Sequence, residues 1–211
     1  MKPIKRDSPR ISSTLTASDF TEIEDEAFYE NCLFENCTLS DRQLEKVCFK
    51  QVRFVNVTFE NMIFHQLELL DVEFERCNIS NTEMIGVILH RSIFKGSKFV
   101  GCNFSEGMIL DTLFKDCQGN YSFFSYATMK RVVFEETALI ESDFFEIKWQ
   151  KLQFDQCNLD GSNFMNTDLR GLDFSTSIFE KIALSFDLLK GCTINPQQSL
   201  VLISALGVNI N

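Results

Sequence analysis

Large apolar residues recur at every fifth position along most of the chain. In residues 47–64, VCFKQVRFVNVTFENMIF, phenylalanine stands at 49, 54, 59 and 64. An amphipathic helix repeats near 3.6 residues and a half-buried strand at 2, so neither accounts for a period of five. Stepping by five from Phe34 to Ile194 gives 33 positions with no insertion or deletion. Thirty-two of them are large and apolar, 17 being Phe, and the exception is Gly119. We call these positions centres. Two residues before each centre lies a second restricted set, mostly small or β-branched, with seven Cys, six Val, six Ser and four Thr. It carries charge only at Arg42 and Asp187, near its two ends. Exclusion of charge from both sets marks them as inward, because burying an unpaired charge is costly.

A unit of five with two inward residues cannot close a core alone, so it must stack on copies of itself. Taking every fourth centre, one column reads Phe34, Phe54, Phe74, Phe94, Phe114, Phe134, Phe154, Phe174 and Ile194. Such rings would stack at the strand spacing of ~4.8 Å, within the usual range for aromatic neighbours. Gly119 is the weak point, since a Phe-sized gap between Phe99 and Leu139 would cost ~3–5 kcal/mol. Inward folding of Tyr121 or Phe123 is expected to fill it, in preference to a change of turn type, because the register resumes at Phe124.

Segments such as CNLDG-SNFMN-TDLRG-LDFST resemble pentapeptide-repeat proteins. The resemblance covers residues 32–194 and implies an all-β solenoid, a right-handed quadrilateral β-helix with four repeats and 20 residues to the coil, hence about eight coils and a rod of ~38 Å. Residues 1–31 are expected to form a partly irregular N-terminal cap over the open sheet edge. Residues 195–211 predict a helix and tail. Asn195 suits the N-cap, Pro196 the first turn, Gln198 the capping box and Gly207 the stop. The apolar run from Leu200 is expected in part to seal the last coil. Leu200, Leu202, Ile203 and Leu206 are expected to join two copies into a homodimer, the commonest closed arrangement.

Composition narrows the function. The formal charge is −10 over 211 residues, which argues against direct nucleic-acid binding, where a basic footprint is the rule. The first thirty residues lack the apolar run of a signal peptide. The longest apolar run, Leu200 to Ile203, falls far short of the ~20 residues that span a bilayer. A cytoplasmic protein without membrane contact is expected. Seven of eight cysteines sit two before a centre. Cys37, Cys77, Cys117 and Cys157 recur in alternate coils, ~9.6 Å apart, beyond the ~7 Å limit for a disulfide. They read as small hydrophobes in a reducing compartment. His65 and His90 face outward on different sides, and no metal, nucleophile or dinucleotide motif occurs. No catalytic residue, metal site or cofactor is assigned.

The outward residues separate by charge. Summed over the columns that begin at Phe34, Leu39 and Leu44, they come to −4, −3 and −4, whereas the Phe49 column comes to +4. Outward aromatics gather in the Leu44 column beside Asp143 and Glu146, a composition suited to an interface. Position in the rod marks Glu135, Glu136, Asp143, Glu146, Asp155 and Asp173 as candidate partner contacts, with Phe145 as an anchor.

The stretches EDEAFYEN, ESDFFEIKWQKL, LRGLDFS and the tail SALGV are similar to the Qnr-type quinolone-resistance proteins, above all their chromosomal Gram-positive form. That resemblance implies a dimeric, non-catalytic DNA mimic that binds DNA gyrase and often topoisomerase IV, and relieves quinolone inhibition. Many plasmid-borne members carry two loops that interrupt the coils, which the unbroken register here leaves no room for. Two other readings stay open: an immunity protein against a peptide gyrase poison, and an interaction scaffold unrelated to topoisomerases.

Overall fold

The computed structural model describes residues 4–20 and 23–208. Residues 1–3, 21 and 22 of the expected cap, and 209–211 of the expected tail, lie outside the described set. The chain winds as a right-handed quadrilateral β-helix of about eight coils, and each residue pairs in parallel with the residue twenty further on. Phe34 pairs with Phe54, Phe54 with Phe74, Phe74 with Phe94 and Phe94 with Phe114. Five strands of eight residues, such as Cys48–Val55 and Thr128–Glu135, turn a corner without breaking, so two of the four walls form one continuous ladder. We name each wall by its first centre: Phe34, Leu39, Leu44 and Phe49, in order around the square.

The centres meet on the axis. Rings of the Phe34 wall stack face to face, with centroids at 4.5 Å for Phe74–Phe94 and 4.7 Å for Phe94–Phe114 and Phe114–Phe134. A second stack on the opposite Leu44 wall runs Phe104, Phe124, Phe144, Phe164, and the two meet edge-on, as at Phe124–Phe134. Each fully buried ring contributes ~1.5–3 kcal/mol relative to exposure. The smaller inward residues have a second duty. The Cys77 and Cys117 thiols and the Ser97, Thr137 and Ser177 hydroxyls each donate to the carbonyl of a Phe34-wall centre in the coil before. A small side chain with a donor therefore suits this column better than a purely apolar one. No thiol is bonded to another. Burial pushes Cys102, Cys117 and Cys157 up to about 12, which keeps them as neutral packing groups.

The corners solve a problem that composition hides. The second residue after nearly every centre has positive φ, and among the described residues 25 that are not glycine adopt it. That region is sparsely used by L-residues, Asn and Asp being the most tolerant. Here the strain is offset by side-chain ladders: Asn56 donates to Asn36 at 3.1 Å and Asn61 to Asp41 at 2.9 Å. The corner N–H groups also bond between coils, Asn36 to Val55 at 3.0 Å and Asp41 to Glu60 at 2.9 Å.

At Gly119 the expectation was wrong. Tyr121 and Phe123 stay exposed, and the space is taken by Phe99 of the preceding coil. A Cβ on Gly119 would lie 1.9 Å from Cε2 of Phe99. One ring thus serves two coils, and glycine is the only residue the position admits.

Pairing begins before the first counted repeat. Thr16–Ser18 pairs with Cys32–Phe34 and Phe28–Glu30 with Cys48–Lys50. Phe20 stacks on Phe34 at 4.5 Å and extends the aromatic column. The residues before them leave the end of the rod altogether and run back along its side. Arg10 N–H donates to Asp71 at 3.0 Å, Asp7 N–H to Asp111 at 3.0 Å and Ile4 N–H to Gln153 at 3.3 Å. Three residues of extended chain, ~10 Å, match two coils, ~9.6 Å, so the strap meets an acceptor at every third residue. At the other end the capping box forms as expected, and Gln198 also donates to the Phe174 and Ser177 carbonyls of the last coil. Leu202 is a correction to the expected dimer face: at 5% exposure it seals the chain's own core. Leu200, Ile203 and Leu206 remain exposed. Among the described residues no helix is long and apolar enough to cross a membrane.

Candidate partner-binding edge

Most of the ion pairs lie on two of the four walls. Arg53–Glu73, Arg76–Glu75 and Lys115–Glu135 lie on the Phe34 wall. Lys50–Glu30, Arg91–Asp71 and Arg131–Asp111 lie on the Phe49 wall or its corner. The two remaining walls carry ten carboxylates: Asp41, Glu60, Glu141, Asp160 and Glu180 on Leu39, with Glu45, Glu83, Glu106, Asp143 and Glu146 on Leu44. None of these ten enters an ion pair among the described residues. Their walls hold Arg42, Lys46, Lys98 and Lys181 in return, and Lys46 is taken by Glu26. Ten charges over a rod of ~38 Å come to one per ~4 Å, close to the ~3.4 Å of a single DNA strand and sparser than the ~1.7 Å of the duplex.

Several of these charges are held in place. Asp143 accepts from Ser125 Oγ at 2.7 Å, Asn163 Nδ2 at 2.9 Å and its neighbour Phe145 N–H at 3.1 Å. Asp160 accepts the N–H groups of Glu180 and Lys181, both at 2.8 Å.

The sequence candidates fall on opposite sides of the rod. Asp143, Phe145 and Glu146 belong to the Leu44 wall. Glu135, Asp155 and Asp173 belong to the Phe34 wall, and Glu136 stands at its corner with Leu39. Glu135 is neutralised by Lys115 at 2.6 Å. Glu136 is raised above its ordinary value, chiefly by a hydrogen bond with Asp116 in the coil before and then by that group's charge. Asp173 accepts from Ser175 N–H at 2.9 Å. A flat partner reaches one set or the other: the Phe34 wall keeps Glu35, Asp116, Glu136, Asp155 and Asp173 outside ion pairs, and the Leu39–Leu44 edge joins two walls with five such carboxylates each.

The repeat itself is matched twice by family models: residues 87–164 by the pentapeptide repeat region, and 152–180 by pentapeptide repeats in eight copies. Within residues 87–180 the solenoid is built of pentapeptide repeats. No curated protein matches the sequence. Among solved structures the chain is similar to HetL, a pentapeptide repeat protein involved in heterocyst differentiation regulation from the cyanobacterium Nostoc sp. strain PCC 7120. The TM-score is 0.57 at 11% identity, over 81% of this chain and 86% of that one. It is also similar to full-length QnrB1, a plasmid-mediated fluoroquinolone resistance protein, with TM-score 0.47 at 18% identity, over 83% of this chain and 100% of that one. At 11% identity the likeness to HetL speaks to the fold alone.

Sequence reading missed three features of this rod. Tyr121 and Tyr126 stand at positive-φ corners, flank Phe123 and expose about half their surface, at 50% and 53%. Tyr126 meets Phe145 edge-on at 5.5 Å, so Phe145 supports the aromatic patch while the tyrosines form its outer face. The third feature is the alternation Asp71, Arg91, Asp111, Arg131 at twenty-residue intervals, the ladder on which the strap lies. Its signal was present in the sequence as charge of alternating sign in one column. His90 lies beside this ladder and is held below its ordinary pKa by burial and by Arg91, while His65 on another wall bonds to Gln43. No group of His, Cys, Asp and Glu among the described residues suits a metal ion.

Proposed function

We propose that the chain is a non-catalytic DNA mimic that presents the Leu39–Leu44 edge to the basic DNA-binding saddle of DNA gyrase, and protects the enzyme from quinolones. The observation that carries this reading is the ten carboxylates outside any ion pair on the adjoining Leu39 and Leu44 walls, with the bases gathered on the Phe49 wall. Scattered solubilising charge would show no such division. A basic saddle would take the acidic edge in one rotational setting, since the Phe49 wall would meet it with like charge, which costs several kcal/mol. The stretches similar to Qnr-type proteins supply the choice of gyrase among basic partners, with topoisomerase IV as a second target and a homodimer formed through Leu200, Ile203 and Leu206. The setting for this activity is the cytoplasm.

Gyrase supercoiling in the presence of ciprofloxacin, titrated with the purified chain and run beside a drug-free arm, tests the reading. Supercoiling is expected to return at low-micromolar protein or below. A Glu141→Lys/Glu146→Lys variant is expected to need about tenfold more protein or worse, since each reversal replaces attraction by repulsion. Inhibition in the drug-free arm without rescue would instead indicate a regulator of gyrase, and no effect in either arm would sink the gyrase assignment.

A further inference from the structure

The stretch YSFFSY, residues 121–126, places three exposed aromatics on one side of a single coil. Tyr121 and Tyr126 occupy its two corners at φ of 61° and 62°, and Phe123 lies between them. Among the 25 non-glycine residues with positive φ, these two are the only aromatics. A bulky residue in that region is an outlier that persists where the surroundings or a function retain it. Burial does not retain them, because half of each ring faces solvent.

Their neighbours give the reason. Glu106, Tyr126 and Glu146 stand in one corner row at twenty-residue intervals, so a glutamate occupies the same corner one coil above and one coil below, at a backbone spacing of ~4.8 Å. Tyr121 has Glu141 in the same relation. All three acids are exposed and free of ion pairs among the described residues. An aromatic face flanked by two carboxylates attracts a cation by the ring quadrupole and by charge together. A planar guanidinium suits it best, because it lies flat on the ring while its edge reaches a carboxylate with two N–H groups.

We propose that the Tyr121–Tyr126 patch is an arginine anchor, where a basic partner segment inserts guanidinium groups between the tyrosines and Glu106, Glu141 and Glu146. This deepens the reading of the acidic edge by naming what the partner inserts, and it can fail separately from the choice of gyrase.

The test compares an arginine nonamer with a lysine nonamer, each titrated into the full chain by calorimetry, for the parent and for Tyr121→Asn/Tyr126→Asn. Asparagine already fills this corner at Asn31, Asn36, Asn56, Asn61, Asn81 and Asn166, so the variant is expected to melt no lower than the parent. The parent is expected to bind the arginine peptide severalfold more tightly than the lysine peptide. The variant is expected to lose about tenfold for arginine, at roughly three- to fivefold per ring, and to level the two peptides. Glu106→Gln/Glu146→Gln is expected to weaken both peptides alike. Equal affinity of the parent for the two peptides, or undiminished arginine binding by the stable tyrosine variant, overturns the proposal. Co-sedimentation with gyrase forms a second arm. Loss of gyrase binding in the tyrosine variant supports the anchor. Arginine preference in a parent that does not bind gyrase keeps the anchor and removes the gyrase assignment, and parental gyrase affinity in the variant overturns the anchor's use there.

Discussion

An Asp111→Ala variant is expected to be destabilised by about 3 kcal/mol, at the lower end for breaking a buried ion pair. The carboxylate is fully buried, with Arg131 donating to both oxygens and the strap's Asp7 N–H donating to Oδ1 at 3.0 Å. Truncation leaves the Arg131 cation partly buried without its partner and orphans the strap amide. The lower end applies because Arg131 keeps 28% of its side-chain surface in solvent. In a domain of this size the loss corresponds to roughly 6–12 °C in Tm. Asp111→Asn, which retains one acceptor and the shape, is expected to lose less. The pH dependence has a definite sign. The Arg131 hydrogen bond, helped by Asp7 N–H, outweighs burial and holds Asp111 below its ordinary 3.8. A lowered carboxylate contributes stability that is present above the unfolded value and is lost as pH falls through the folded one. Asp71 shifts the same way: burial pushes it up, but the Arg91 hydrogen bond and Arg10 N–H prevail. Parent and Asp111→Ala are therefore expected to differ fully at pH 7 and to converge below about pH 4. Hydrogen exchange at Asp7 and Arg10 would report release of the strap over the same range. An Asp111→Ala variant as stable as the parent at pH 7 would show that the strap ladder holds nothing together.

The second large effect runs against the repeat. Leucine at 119 would complete the pattern of centres, yet Gly119→Leu is expected to destabilise the chain by at least ~3 kcal/mol, the upper range for overpacking a filled core. The new Cβ would fall 1.9 Å from Cε2 and 2.3 Å from Cζ of Phe99. That ring has no exposed surface and is hemmed in by Phe114 at 5.1 Å and Phe104 at 5.9 Å. Phe99→Ala alone leaves a cavity and is expected to cost ~3–5 kcal/mol. Combining Phe99→Ala with Gly119→Leu moves volume from one coil to the next, so the double variant is expected to be more stable than the two single losses predict. Contacting residues couple in this way by up to ~3 kcal/mol. Chemical denaturation of the four proteins decides the matter, and strict additivity would mean that Phe99 does not fill the Gly119 position.

What could be read from the sequence was whatever repeats. A period of five with charge excluded from two positions defined the inward faces, the twenty-residue coil and the Phe34 stack. Asn195, Pro196 and Gln198 announced the helix because capping is local chemistry. Gly119 misled because the pattern counts side chains per position, whereas packing fills volume, and Phe99 reaches across a coil. The strap was invisible for a different reason: its bonds come from backbone N–H groups, which every residue except proline carries, and join positions up to 149 apart. The candidate edge was half legible. Column sums of charge showed that three walls are acidic, but they could not show that Arg53, Arg76 and Lys115 neutralise acids of the Phe34 wall. Pairing depends on which residues lie twenty apart on the same row, so Glu135 looked equivalent to Glu146 until the coils were in register. Tyr126 was read as an ordinary outward residue and Tyr121 as a filler for the Gly119 gap, since a period alone does not say that the corner requires positive φ.

Equilibrium binding of the chain to gyrase at rising salt, with and without linear duplex DNA, tests the claim of DNA mimicry most directly. The account predicts affinity that falls steeply and linearly in log–log form with salt, as for a ligand that engages several cations at once. It also predicts that duplex DNA and the chain displace each other from the same saddle. Salt-insensitive binding, or a stable complex of gyrase holding both with undiminished affinity, would contradict it.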